Sequence, residues 1–196
     1  YLFGIVCRTV ERWKQQYGKE IHISVNLNES AFNYEFFFND YKEVYERNPC
    51  QKDCIEFELL ESIILNQVDQ VNRVVNAITQ FGFSCSVDDF GSGYSSFSVL
   101  TSTELKTLKI DRSLFRNYSD PRERVLVRHI VETAKELDLK IVAEGIETRE
   151  YVDFLKGLGC DYIQGFIFYK PMPVGEFEQR FLRDHERAQV APQRME

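Results

Sequence analysis

The sequence has no run of apolar residues long enough to span a membrane, and it shows no signal peptide. Basic residues are also few, since 24 lysines and arginines face 31 aspartates and glutamates, for a net charge of −7. Proteins that coat nucleic acid gain much of their binding energy from basic side chains that neutralise phosphates. The charge balance therefore predicts no DNA or RNA partner. A phosphorylated ligand would need metal ions or local hydrogen-bond donors.

Cysteine and histidine carry little signal. The five cysteines are odd in number and include no Cys-x-x-Cys pair, which indicates neither a zinc site nor a disulfide framework. Buried free thiols in a reducing cytoplasm are the expectation. The three histidines fall on a predicted strand interior, a predicted helix and the polar end of the chain, so none is expected in a site.

The 196 residues, 43% of them hydrophobic and 28% charged, fit one globular domain. We predict that this domain spans residues 1–183 and that residues 184–196 form a polar tail. The chain opens with Tyr1 rather than Met, which predicts that it is excised from a longer protein.

Strand and helix patterns alternate along the chain. An opening helix that stops at Gly18 is followed by further predicted helices at 35–47, 66–80, 95–100, 120–138, 148–155 and 174–182, and by strands at 21–26, 54–59, 83–88, 105–110, 140–144 and 160–164. Such alternation predicts parallel strands with helical crossovers, in a barrel or a doubly wound sheet. The first strand is followed by no dinucleotide-binding glycine fingerprint, which weakens the open-sheet alternative.

Every predicted strand ends at or near a polar side chain. In chain order these are Asn26, Glu58, Asp88 with Asp89, Lys109, Glu144 and Gln164. In a barrel, these positions form one ring at the C-terminal face, where the active sites of such folds lie. Carboxylates and carboxamides without histidine suit Mg²⁺ or Mn²⁺. The ring therefore predicts two-metal hydrolysis of a phosphoester, with Lys109 orienting the attacking water or neutralising charge on the phosphate.

The centre of this prediction is the stretch 84–96, where two adjacent carboxylates precede a loop rich in glycine and serine. Neighbouring side chains of a strand point to opposite faces, so Asp88 and Asp89 serve one site only if the chain leaves extended geometry between them. Gly91 and Gly93 permit such a turn. Alternatives stay open at this point: the two aspartates as turn and cap residues, and Lys109 as the partner of Asp111 in an internal ion pair.

Six segments, in this order, resemble the EAL-domain phosphodiesterases of bacterial cyclic-di-GMP signalling. They are VNLNES at 25–30, EFELLES at 56–62, DDFGSGYSS at 88–96, LKID at 108–111, VAEGIET at 142–148 and QGFIFYKP at 164–171. The resemblance covers nearly the whole chain. It implies a modified TIM (β/α) barrel that linearises cyclic-di-GMP to pGpG with two Mg²⁺ or Mn²⁺ ions.

The resemblance also assigns roles to residues. Asn26, Glu58 and Asp88 would bind the first metal, Asp88 would bridge to the second, and Asp89 and Glu144 would complete the second site. Lys109 would hold the nucleophilic water. Glu147 and Gln164 would support the site, and Glu61 would fix the loop that includes Gly91, Ser92 and Gly93. The family further implies a homodimer across this loop region, an upstream regulatory or sensor domain, and a place in the bacterial cytoplasm, with tethering to the inner membrane left open.

Two features depart from the family pattern. Leu60 stands where the family usually has threonine, and the Glu-Ala-Leu signature, whose glutamate binds the first metal, is absent. A (β/α) barrel needs eight strands and about 250 residues, so we expect a domain that lacks its opening strands. Besides an active phosphodiesterase, two interpretations stay open: an inactive cyclic-di-GMP receptor or protein-interaction module, and an enzyme for another phosphodiester.

Overall fold

The structure is a computed structural model that describes residues 2–27, 37–93 and 97–183. Three predictions fall outside these ranges: the first two residues of the helix at 35–47, the start of the short helix at 95–100, and the polar tail at 184–196. Within the described part, six strands form one parallel sheet in chain order. The strands are β1 Ile23–Asn26, β2 Ile55–Leu60, β3 Ser84–Phe90, β4 Thr107–Ile110, β5 Lys140–Ala143 and β6 Tyr162–Ile163.

Helices connect the strands. They are α1 Leu2–Tyr17, α2 Phe37–Arg47, α3 Glu61–Asn66, α4 Val68–Phe81, α5 Ser98–Ser102, α6 Pro121–Glu136, α7 Arg149–Leu158 and α8 Val174–Phe177. The sheet is that of a curled half-barrel, which confirms the prediction of a barrel-type α/β fold short of its full set of strands.

The predicted helix at 66–80 is wrong in its first residues. Asn66 ends α3, and α4 begins at Val68 after Gln67 leaves helical geometry at φ −141° and ψ 43°. The predicted last helix is also altered, because α8 ends at Phe177 and a π-helical turn, Glu178–Arg183, continues it. This turn is held to α1, since Trp13 Nε1 donates a 2.8 Å hydrogen bond to Glu178 Oε1.

The two faces of the sheet differ in chemistry. Side chains of alternate strand residues point to opposite faces. One set, which includes Phe57, Val87 and Leu108, is fully buried in the apolar core beneath the helices. The other set is polar and faces a cavity of about 1260 Å³ on the concave side, where Glu58 and Lys109 are among the lining residues. The concave face of the sheet therefore carries the candidate site.

None of the described helices is both long enough and apolar enough to cross a membrane.

Candidate functional site

Lys109 lies at the centre of a cluster of carboxylates. Its Nζ atom is 2.6 Å from Glu58 Oε1, 2.9 Å from Asp88 Oδ1 and 2.8 Å from Glu144 Oε1. Glu58 lies on β2, Asp88 on β3 and Lys109 on β4, and Glu144 directly follows β5. Because the carboxyl ends of parallel neighbouring strands meet at one edge of the sheet, the fold brings these side chains together.

The protonation of this cluster follows from burial and charge together. Burial of Lys109 acts to lower its pKa, but the hydrogen bonds that Lys109 donates to Glu144, Glu58 and Asp88 outweigh this effect and raise the pKa above the ordinary lysine range. Lys109 is therefore a permanent cation. Burial raises the pKa of Glu144, and the neighbouring Lys109 partly offsets that effect.

The backbone leaves extended geometry between the two adjacent aspartates, as the sequence analysis predicts. Asp89 has a φ of +56°, and the pairing of β3 with β4 shifts register between Val87 and Phe90. This irregularity turns Asp89 to the same side as Asp88. Oxygens of Asp88, Asp89 and Glu144 lie within 4.8 Å of one another.

This group of carboxylates fits a hard divalent cation. Three carboxylate oxygens so close together repel one another unless a positive charge lies between them, and oxygen donors are those that Mg²⁺ and Mn²⁺ prefer. Asp89 shows this repulsion, because its pKa is raised by burial and by the neighbouring Asp88 carboxylate. Lys109 neutralises only part of the charge, because a single ammonium group lies among four carboxylates. These are Glu58, Asp88, Asp89 and Glu144.

Glu61 connects this site to the loop that follows β3. It is the first residue of α3 and is buried, and its Oε2 atom accepts a 3.2 Å hydrogen bond from the Gly91 backbone N–H. Gly91 has a φ of +96°, and a Cβ atom there would lie 2.4 Å from Leu114 Cδ1, so glycine is required. Ser92 and Gly93 continue the turn.

The remaining predicted residues lie around this cluster, and within the described part of the chain their side chains form no hydrogen bond or ion pair with it. Asn26 ends β1 beside Glu58 in the sheet register, with its side chain exposed. Glu147 and Gln164 are exposed and line the concave cavity together with Lys109. The backbone holds Gln164 in place, because its N–H donates to the Ala143 carbonyl at 2.8 Å.

The structure decides one alternative that the sequence leaves open. Lys109 is not paired with Asp111, whose carboxylate instead accepts a 2.9 Å hydrogen bond from the Ser113 backbone N–H. Glu56, two residues before Glu58 on β2, accepts a 2.7 Å hydrogen bond from Thr107 Oγ1. Sequence reasoning missed Thr107, although its position two residues before Lys109 places both side chains on one face of β4.

Comparison with known proteins assigns the family. The family model described as "EAL domain" matches residues 1–171. The chain belongs to the EAL domain family. The matched range includes Asn26, Glu58, Asp88, Lys109 and Glu144, together with the loop that Glu61 holds.

Other EAL-family proteins resemble this chain in both sequence and fold. Cyclic di-GMP phosphodiesterase PdeR of Escherichia coli is 33% identical over 184 residues, which cover 93% of this chain and 28% of PdeR. The solved PaMucR phosphodiesterase in complex with c-di-GMP is 30% identical, with a TM-score of 0.83 over 90% of this chain and 72% of that chain. The EAL domain of Mycobacterium smegmatis DcpA is 27% identical, with a TM-score of 0.83 over 91% of this chain and 81% of that chain. The chain spans about a quarter of the length of the curated relatives that it matches.

Proposed function

We propose that this EAL domain hydrolyses cyclic-di-GMP to linear pGpG. The observation that carries the proposal is the contact of Lys109 with Glu58, Asp88 and Glu144, beside the close approach of Asp88, Asp89 and Glu144. Support comes from relatives that are named cyclic di-GMP phosphodiesterases and from the solved PaMucR complex with c-di-GMP.

Two Mg²⁺ or Mn²⁺ ions are part of the proposal. Asn26, Glu58 and Asp88 would hold one ion, and Asp88, Asp89 and Glu144 would hold the other. When bound, the ions stabilise the charge on the attacking and leaving oxygens of the phosphodiester.

The chain's own residues position the reaction. Lys109 holds three carboxylates in one arrangement, and its ammonium group is placed to orient the attacking water or to offset charge that develops on the phosphate. Glu61 fixes the loop at Gly91, which adjoins the two aspartates. Glu147 and Gln164 lie on the wall of the cavity that would receive the nucleotide.

Turnover of cyclic-di-GMP by the full-length protein in Mn²⁺ tests the proposal. We expect pGpG to form, and we expect Asp88→Asn to reduce turnover at least about 100-fold, because the ligand shared by both ions loses its charge. The matched control is Asp138→Asn, at an exposed residue two positions beyond the last residue of α6, with a φ of +57° that asparagine also tolerates. Unchanged turnover in Asp88→Asn would contradict the proposal.

The second candidate is a cyclic-di-GMP receptor or protein-interaction module without catalysis. Leu60, which stands where the family usually has threonine, favours it. Tight nucleotide binding by the full-length protein without any turnover in Mn²⁺ would support this candidate. A comparison of cyclic-di-GMP with linear dinucleotides as substrates distinguishes hydrolysis of cyclic-di-GMP from action on another phosphodiester.

Assembly and location complete the proposal. A homodimer across the loop region is supported by Phe97, which follows that loop. Its side chain is 47% exposed, and its ring centroid lies 5.8 Å from that of the buried Phe90. An upstream regulatory or sensor domain is supported by the greater length of the relatives. A place in the bacterial cytoplasm is supported by the five free cysteines.

A further inference from the structure

Arg112 begins a short 3₁₀ turn, Arg112–Leu114, just beyond the C-terminal end of β4. Asp111 caps this turn, since its Oδ1 atom accepts a 2.9 Å hydrogen bond from the Ser113 N–H. The turn is closed by the Leu114 N–H, which donates to the Asp111 carbonyl at 3.2 Å. The backbone of Arg112 is therefore fixed three residues after Lys109.

The turn is fastened to the loops on both sides of it. Ser113 Oγ donates a 3.1 Å hydrogen bond to the Gly91 carbonyl, in the loop that follows Asp88 and Asp89. On the other side, the stem of Arg112 packs against Gly145, where a Cβ atom would lie 2.4 Å from Arg112 Cβ and 3.3 Å from its Cδ. Gly145 directly follows Glu144. The turn that Arg112 begins therefore contacts both the loop after the two aspartates and the residue after Glu144.

The guanidinium group of Arg112 is free while its stem is held. The residue is exposed and lines the same cavity as Lys109, Glu147 and Gln164. In the part of the chain that the structure describes, its side chain forms no ion pair and no hydrogen bond. Lys109, by contrast, is fully engaged by three carboxylates. Arg112 thus has a fixed aliphatic chain and a planar guanidinium group without a partner among the described residues. This arrangement is preorganised for a bidentate contact with phosphate.

We propose that Arg112 binds the second phosphate of the cyclic dinucleotide, the one that is not cleaved. This inference rests on the proposed function and deepens it. A cyclic dinucleotide carries two phosphodiesters, and the carboxylate cluster with its ions would take one. The other then needs a cation that is near the cluster but not already neutralised. Arg112 meets both conditions, and it gives the site a preference for substrates with two phosphates.

Steady-state kinetics of the full-length protein in Mn²⁺ test this inference with two substrates. Cyclic-di-GMP has two phosphodiesters, whereas bis(p-nitrophenyl) phosphate has one. The variant is Arg112→Met, which keeps the stem that packs on Gly145 and removes the charged fork. Arg112→Lys keeps the charge without the fork, and Arg116→Met, at an exposed arginine outside the cavity lining, is the matched control.

We expect Arg112→Met to raise the KM for cyclic-di-GMP at least about tenfold with kcat within about threefold, because two charge-assisted hydrogen bonds are lost. Arg112→Lys should recover part of the loss, and Arg116→Met should match wild type. The loss of kcat/KM with bis(p-nitrophenyl) phosphate should be at least about fivefold smaller than with cyclic-di-GMP. An unchanged KM, or equal losses with both substrates, would overturn the inference.

If the wild-type protein does not cleave cyclic-di-GMP, the proposed function fails and Arg112 is tested by equilibrium binding of cyclic-di-GMP in Ca²⁺. Affinity at least about tenfold weaker in Arg112→Met than in Arg116→Met supports the inference. Equal affinities, or no binding by any variant, overturn it.

Discussion

Lys109 shows how one residue organises the site. A buried ammonium group is stable only where opposite charges compensate its lost hydration, and here Glu58, Asp88 and Glu144 do so at 2.6–2.9 Å. The dependence is mutual, because the same three carboxylates would repel one another without a cation between them. The residue therefore has a structural role that is separable from any catalytic one.

We predict that Lys109→Met lowers the free energy of unfolding of the metal-free protein by about 3–5 kcal/mol, since buried carboxylates lose their counter-charge. Saturating Mn²⁺ should make this loss smaller, because bound ions supply the positive charge. Urea unfolding in chelator and in Mn²⁺ measures both values.

Lys140→Met is the control for this prediction, because Lys140 begins β5 with an exposed side chain. Its effect should stay within about 0.5 kcal/mol. If Lys109→Met cost the same with and without Mn²⁺, the carboxylates around Lys109 would not be where the ions bind.

The identities of the residues around Lys109 could be predicted from the sequence, but their contacts could not. Strand ends that meet at one edge predict that Glu58, Asp88, Lys109 and Glu144 are near one another. Whether Lys109 pairs with them or with Asp111 depends on the bend after β4, where Asp111 turns away to cap Ser113. That choice is made by the backbone of the 3₁₀ turn, for which the sequence offers no strong signal.

At the scale of elements, the strands can be predicted from their apolar pattern, but the helix α3 cannot. The residue before α3 is Leu60, which offers no side-chain cap, and the break between α3 and α4 falls at Gln67 without glycine or proline. A helix that starts without a cap directly after a strand leaves no mark in the sequence. The structure therefore places Glu61 on a helix, in a segment for which the pattern predicts neither a strand nor a helix.

The connection after β6 depends on a glycine. A Cβ atom at Gly165 would lie 2.0 Å from the Ile146 carbonyl oxygen and 2.4 Å from its nitrogen, and backbone atoms cannot move aside as a side chain can. The Ile146 N–H donates a 3.0 Å hydrogen bond to the Gln164 carbonyl, and the Ile146 carbonyl accepts a 3.2 Å hydrogen bond from the Ile167 N–H. Gly165 thus fixes the position of Gln164 on the cavity wall.

We predict that Gly165→Ala lowers the free energy of unfolding by at least about 1–3 kcal/mol through overpacking. Gly175→Ala is the matched control, because α8 leaves open space around that position and alanine favours the helix by about 0.5–1 kcal/mol. Chemical unfolding of both variants decides the matter, and equal effects at the two glycines would contradict the close approach of Gly165 to Ile146.

At the scale of the whole molecule, the parallel sheet separates an apolar face from a polar one. Helices cover the apolar face, while the concave face opens to the cavity that Lys109, Glu147 and Gln164 line. The alternation of strands and helices predicts this arrangement, and the match to the EAL domain family over residues 1–171 agrees with it. The register shift in β3 is a property of the folded sheet, and it brings Asp89 to the same side as Asp88 and Glu144.

The most direct test of the account is the number of Mn²⁺ ions that the metal-free full-length protein binds in equilibrium dialysis. We predict two ions per chain for the wild-type protein and for Asp138→Asn, and fewer than one for Asp88→Asn, because both ions share Asp88. No bound Mn²⁺ in the wild type, or the same number in Asp88→Asn, would contradict a two-ion site at the ends of these strands.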